Sequence, residues 1–262
     1  MSSPFIVDAH VHTGFPGMFF SPEVDARSLL RRMDSLGIQR AVNLGSMRNL
    51  LGGSPAEMEK ARAEHEESEG RLFFCGFFDP TRGAEDIAVL EKAVPLSGFR
   101  GIKIHPSFNK VSAEDARYDA VWKFASDHDL PIVSHTWSVS SYNPAQALST
   151  PEKFEGYVRT YPHVRFVLAH SGGRGAGRLE AVRLAKLYPN VYMDFGGDIY
   201  CYRYFETVAR EGILDRVMFG SDYPWIDARS HLTRVYLADI PAAAKRAIFR
   251  DNAVKVYGLE RP

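Results

Sequence analysis

The sequence predicts a single-domain α/β protein, a closed (β/α)8 TIM barrel over residues 1–262, on three observations. Eight apolar, strand-like runs alternate with helical runs from one end of the chain to the other. The chain has 262 residues, close to the roughly 250 that such barrels use as one domain. No linker or low-complexity stretch interrupts the alternation. The open doubly wound alternative wants a glycine-rich phosphate loop after its first strand, and Gly14-Phe15-Pro16-Gly17 does not have that spacing.

The first strand ends in Val7-Asp8-Ala9-His10-Val11-His12. Residues two apart on a strand share a face, so His10 and His12, with Cα atoms about 6.6 Å apart, can lean toward one cation. Two satisfied core histidines are the competing account. The loop over 13–24 holds Phe15, Met18, Phe19 and Phe20 among glycines and prolines, the composition of a wall over a pocket. Leu29, Leu30, Met33 and Leu36 recur at helical spacing before Gly37, which predicts a helix over 25–36 with a left-handed cap. A strand follows over 38–44, and a helix over 55–69 begins with Pro55 at a first-turn position. The apolar run 72–78 reads as a strand buried on both faces.

The same alternation continues with helix 84–93, strand 99–105, helix 113–128, strand 131–135, helix 151–160 and strand 164–170. Helix 177–187, strand 191–195, helix 202–211 and strand 217–222 follow, and two closing helices cover 229–238 and 242–257.

Charge and cysteine usage narrow the partners. Lys plus Arg and Asp plus Glu both total 32, so no net positive field draws the chain to nucleic acid or anionic lipid. A small-molecule substrate is expected. Cys75 and Cys201 form no spacing motif, which fits a reducing, cytoplasmic setting. No apolar run approaches membrane-spanning length, and Phe5-Ile6-Val7 is too short for a signal-peptide core. A homodimer is the commonest oligomer and the base-rate expectation.

Barrels of this class carry their active site at the C-terminal ends of the strands. The polar residues of this chain gather at those ends. Strand one ends in His10 and His12, strand four in Lys103 and His105, strand five in His135, strand six in His170 and strand eight in Asp222. Five of the nine histidines lie there, a bias that core packing alone does not produce.

These markers resemble the amidohydrolase superfamily, in particular its branch of aminocarboxymuconate-semialdehyde decarboxylase-like metal-dependent enzymes. The residues that carry the resemblance are Asp8-Ala9-His10-Val11-His12, Gly101-Ile102-Lys103-Ile104-His105-Pro106, His135, Ala169-His170-Ser171-Gly172-Gly173 and Phe219-Gly220-Ser221-Asp222-Tyr223-Pro224. The resemblance implies that His10, His12, His135 and Asp222 hold one divalent metal, with zinc expected first and manganese, iron or cobalt suited to the same donors. It also implies His170 as acid or base and Asp222 as acceptor of a proton from the metal's water. Lys103 and His105 share a face and are candidates for substrate contact or support. Arg174 follows strand six, Arg48 and Arg229 follow strands two and eight, and each has the chemistry to grip a carboxylate. Trp137, Tyr142 and Trp225 are candidate pocket walls.

The implied activity is metal-dependent hydrolysis of an amide, lactone or related C–N or C–O bond. Non-oxidative decarboxylation of a small unsaturated or aromatic acid is the alternative. A metal-free binding protein on the same fold is the alternative of another class.

Overall fold

A computed structural model describes residues 4–14, 25–45, 53–198 and 201–259. The expected strands form one eight-stranded parallel sheet in chain order. They are β1 (Val7–Val11), β2 (Arg40–Asn43), β3 (Leu72–Phe77), β4 (Phe99–Ile104), β5 (Ile132–His135), β6 (Phe166–Ala169), β7 (Val191–Asp194) and β8 (Val217–Met218). The ring closes where its last member meets its first. Ala9 N donates to Phe219 O at 2.8 Å, Asp222 N to His10 O at 2.8 Å, and His12 N to Tyr223 O at 2.7 Å.

The helices are α1 (Ala26–Leu36), α2 (Pro55–Glu67), α3 (Ala84–Ala93), α4 (Pro106–Asn109), α5 (Asp119–Asp127), α6 (Glu155–Thr160), α7 (Ala176–Leu187), α8 (Tyr204–Arg210), α9 (Ala228–Leu237), α10 (Ala242–Arg246) and α11 (Asn252–Tyr257). Local chemistry sets several of their ends. Asp25 accepts from Ser28 N ahead of α1, and Gly37 closes that helix at φ 68°, a conformation that costs glycine little. Ser54 accepts from Glu57 N ahead of α2, with Pro55 in its first turn. Among the described residues no helix is long and apolar enough to cross a membrane.

Alternation along the strands divides the core in two. Ile102, Ile104, Ile132, Phe166, Leu168, Val191 and Met193 pack outward with Leu90, Trp122 and Leu184 from the helices. A buried aliphatic or aromatic side chain of this kind contributes about 1.5–3 kcal/mol relative to exposure. A smaller cluster joins Val7, Ala9, Val42, Cys75, Val133, Val167 and Met218 to Val256 and Tyr257 of α11. Lys103 lies between two outward isoleucines and therefore faces inward.

Three departures from the sequence expectation have visible causes. The helix expected over 113–128 begins as a 3-10 turn, Ala116–Tyr118, because the Asp115 side chain caps Arg117 N. The last strand ends at Met218 because Phe219 N turns to Ile248 O, at 2.8 Å. That carbonyl belongs to a π-helical segment, Ala247–Asp251, which splits the expected closing helix into α10 and α11. The expected wall of Phe15, Met18, Phe19 and Phe20, and Arg48, lie outside the described residues.

Candidate metal centre

The strand ends open into a cavity of about 630 Å³. His10, His12, Lys103, His105, His135, His170 and Asp222 all line it, together with Trp137, Tyr142, Trp225 and Phe108. A shift in the β1–β2 register prepares the first two. Asp8 is opposite Ala41 and Val11 opposite Asn43, so β1 carries one extra residue between them. A bulge of this kind re-aims side chains.

The tautomers of His10 and His12 follow from their partners. His12 Nδ1 is 2.9 Å from Gly45 O, and a carbonyl only accepts, so the proton is on Nδ1 and Nε2 keeps its lone pair. His10 Nδ1 is 2.9 Å from Asp194 Oδ2, which places its proton the same way. The two Nε2 atoms, both acceptors, therefore face each other at 3.2 Å. Asp222 Oδ1 stands 3.4 Å from one and 3.6 Å from the other, and among the described residues no hydrogen bond reaches it. Two imidazole lone pairs and a carboxyl oxygen without a hydrogen-bond partner among the described residues converge there. Donors about 2.0–2.1 Å from a tetrahedral zinc lie about 3.4 Å from one another. The residues present therefore fit a divalent cation.

A second trio, His10, His170 and Asp194, also has donor atoms within 4.8 Å of one another, but its atoms are already used. Asp194 Oδ1 accepts from His170 N and Gly196 N, Oδ2 accepts from His10, and His170 Nδ1 donates to Gly196 O at 2.9 Å. That last bond leaves Nε2 as the unprotonated nitrogen of His170.

Burial sets the charge states. It holds His10, His12, His105 and His170 well below the ordinary imidazole range, with repulsion from neighbouring cationic groups adding to it. Burial also takes His135 down to about 3 and pushes Asp222 well above the usual carboxylate range. Lys103 falls to about 8, again through burial, with Asp194 and Asp222 opposing the shift.

His135 is brought to the same cavity but not into the tight trio. Its Nε2 donates to Gln146 Oε1 at 3.0 Å, leaving Nδ1 as its lone-pair nitrogen. Its ring stacks on His105 at 4.0 Å and 9°. His105 in turn accepts at Nδ1 from Phe108 N, at 3.3 Å. Arg174 is not among the residues lining this cavity; its Nε donates to the buried Asp198 at 3.2 Å. Arg229 pairs with Asp227.

Sequence reasoning missed Asp194 and Gln146. Asp194 ends β7, so the strand-end pattern that drew attention to the histidines contains it as well. Gln146 sits in a 3-10 segment, Pro144–Leu148, where no periodicity marks it.

The chain belongs to the amidohydrolase family, whose model matches residues 7–259. No curated protein gives a significant sequence match. Among solved structures, an uncharacterized TIM-barrel protein from Bordetella bronchiseptica is similar over 97% of this chain and 98% of its own, at 17% identity and a TM-score of 0.79. The 5-carboxyvanillate decarboxylase of Sphingomonas paucimobilis is similar over 98% of this chain and 100% of its own, at 13% identity and a TM-score of 0.75. The 5-carboxyvanillate decarboxylase of Novosphingobium aromaticivorans, complexed with manganese, covers 98% of this chain and 96% of its own, at 15% identity and a TM-score of 0.74. At these identities the likeness establishes the fold. The chain is thus an amidohydrolase-family enzyme on a TIM barrel.

Proposed function

We propose that the chain is a metal-dependent lyase that releases carbon dioxide from a small, planar, unsaturated or aromatic carboxylic acid. The observation that carries this reading is the cavity itself. The His10, His12 and Asp222 acceptors sit beside ring side chains, Trp225 packing on His12 at 4.8 Å and Trp137 edge-on to His170 at 5.5 Å. Flat apolar walls suit a planar ring. The likeness to two decarboxylases supports the same reading and moves it ahead of the hydrolysis expected first from the sequence.

His10, His12 and Asp222, with His135 as a fourth donor, would hold a divalent cation, which would supply Lewis-acid charge for the reaction. Zinc suits these nitrogen and oxygen donors, and manganese suits them too. Lys103 offers a buried ammonium to a substrate anion, and its ordinary charge is easily shed there because burial lowers it to about 8. His170 accepts and returns a proton at Nε2, its Nδ1 being fixed on Gly196 O. The aromatic walls keep water from the reacting carbon.

The test is a panel of hydroxylated benzoates, other unsaturated acids, lactones and amides, offered to zinc- and manganese-loaded enzyme. Carbon dioxide release from an acid is the expected result. Turnover confined to lactones or amides, with oxygen from labelled water in the product, overturns the lyase reading in favour of hydrolysis.

A further inference from the structure

Asp194 is buried to 1% exposure, and each of its side-chain oxygens has a separate task. Oδ2 takes the proton of His10 Nδ1 at 2.9 Å. Oδ1 takes His170 N at 3.1 Å and Gly196 N at 3.0 Å. The main-chain oxygen of the same residue accepts from Ser171 Oγ at 2.6 Å. These bonds pin His170 and Ser171, two consecutive non-glycine residues at φ 64° and 49°, a conformation that costs energy and persists only when its surroundings hold it. Gly220 makes the approach feasible, since a Cβ there would come 2.9 Å from His10 Cβ and 3.1 Å from Asp194 Cβ.

We propose that Asp194 is a positioning residue that sets the tautomer of His10, and so the lone pair His10 offers a cation, while the same carboxylate seats the backbone of His170. Cation affinity and the place of the proton-carrying ring are then set by one side chain. The inference rests on the reading of His10, His12 and Asp222 as cation ligands.

The informative variant is Asp194→Asn. The amide is the same shape, and its oxygen keeps both backbone N–H bonds, because the reverse orientation would set an amide N–H₂ against two donors. The N–H₂ group then replaces Oδ2 and donates to His10 Nδ1. His10 must move its proton to Nε2, which points a donor into the acceptor cluster.

Two measurements on the full-length protein, both without substrate, decide the matter. Nitrogen-15 spectra of metal-free wild type are expected to show His10 as the Nδ1–H tautomer, and those of Asp194→Asn as Nε2–H. Zinc affinity, read by competition with a chromophoric chelator, is expected to fall about 10- to 100-fold in the variant, the range for losing the partner that orients a ligand. An Nε2–H tautomer in the wild type overturns the proposal even if the variant does not fold, as does wild-type zinc affinity in a folded variant. A wild type that binds no zinc or manganese overturns the cation reading, while the tautomer spectra still decide the role of Asp194. Whether the enzyme releases carbon dioxide or consumes water affects neither measurement.

Discussion

Where β1 meets β8, His10 and His12 turn imidazole lone pairs toward one point, and Asp222 turns to it a carboxyl oxygen without a hydrogen-bond partner among the described residues. Across the mouth, at the ends of β4 and β5, the same residue type behaves differently. His105 and His135 stack face to face, and the bonded nitrogen of each has a complementary partner, Phe108 N for one and the Gln146 side chain for the other. The first arrangement is satisfied by adding positive charge. The second has its bonded nitrogens satisfied, and presents ring faces, the N–H of His105 Nε2 and the lone pair of His135 Nδ1. Identical imidazoles thus acquire different chemistry from what holds their far nitrogen, which neither burial nor residue type reveals.

The sharpest way to break this contrast is Asp222→Asn. Replacing the unpartnered oxygen should lower kcat of the metal-loaded enzyme by about a thousandfold or more. The thermal midpoint of the metal-free protein should hold or rise, because burial penalises the charged carboxylate. Full turnover in this variant would remove Asp222 from the mechanism.

Lys103 provides a second, smaller test, this time of the interior between the two sides. Its folded-state value is about 8, against 10.5 for an ordinary lysine. Between those values the unfolded chain binds the extra proton, so stability of the metal-free protein should rise with pH across that window. Below pH 8 both states are protonated and the burial cost is felt in full, on the order of 3 kcal/mol. Urea midpoints for wild type and Lys103→Met at pH 7.5 and 10 should draw together as pH rises. A constant gap would mean that the ammonium is not held against its preference.

The smallest effect is expected outside the mouth. Arg174→Ala removes a half-exposed side chain whose acidic partner, Asp198, keeps Arg178 at 3.1 Å. KM should change by less than about threefold, because the half-exposed guanidinium does not line the cavity and such exposed charges contribute little. A tenfold or larger rise in KM would return Arg174 to the role of substrate clamp that its position after strand six suggested.

Much of the fold is written in local pattern. The helix over 84–93 and the capped helix after Asp25 come directly from periodicity and Gly37, and the eight strands come from apolar runs. The candidate ligands were legible because polar residues at the end of apolar strands stand out against their neighbours. What stayed hidden depends on contacts between distant parts of the chain. His10 and Asp194 are 184 positions apart, and nothing in either strand announces that they share a proton. The early end of β8 and the π-helical segment are two halves of one bond between Phe219 and Ile248, so neither follows from its own sequence. Arg174 had the right chemistry and the right loop, but Asp198 decides where it points.

The closure of the ring between β1 and β8 joins residues far apart in the chain. His10 and His12 are made early, yet the carboxylate that completes their acceptor cluster is residue 222, and hydrogen bonds from Asp222 N and to Tyr223 O seal the seam that brings it there. The cluster is therefore built from contacts spanning about two hundred residues, the kind that form late because loop closure comes before any gain. A chain still emerging from the ribosome holds a bare pair of histidines, and only the completed ring presents all three acceptors. A cation that needs all three groups would bind only where the barrel has shut.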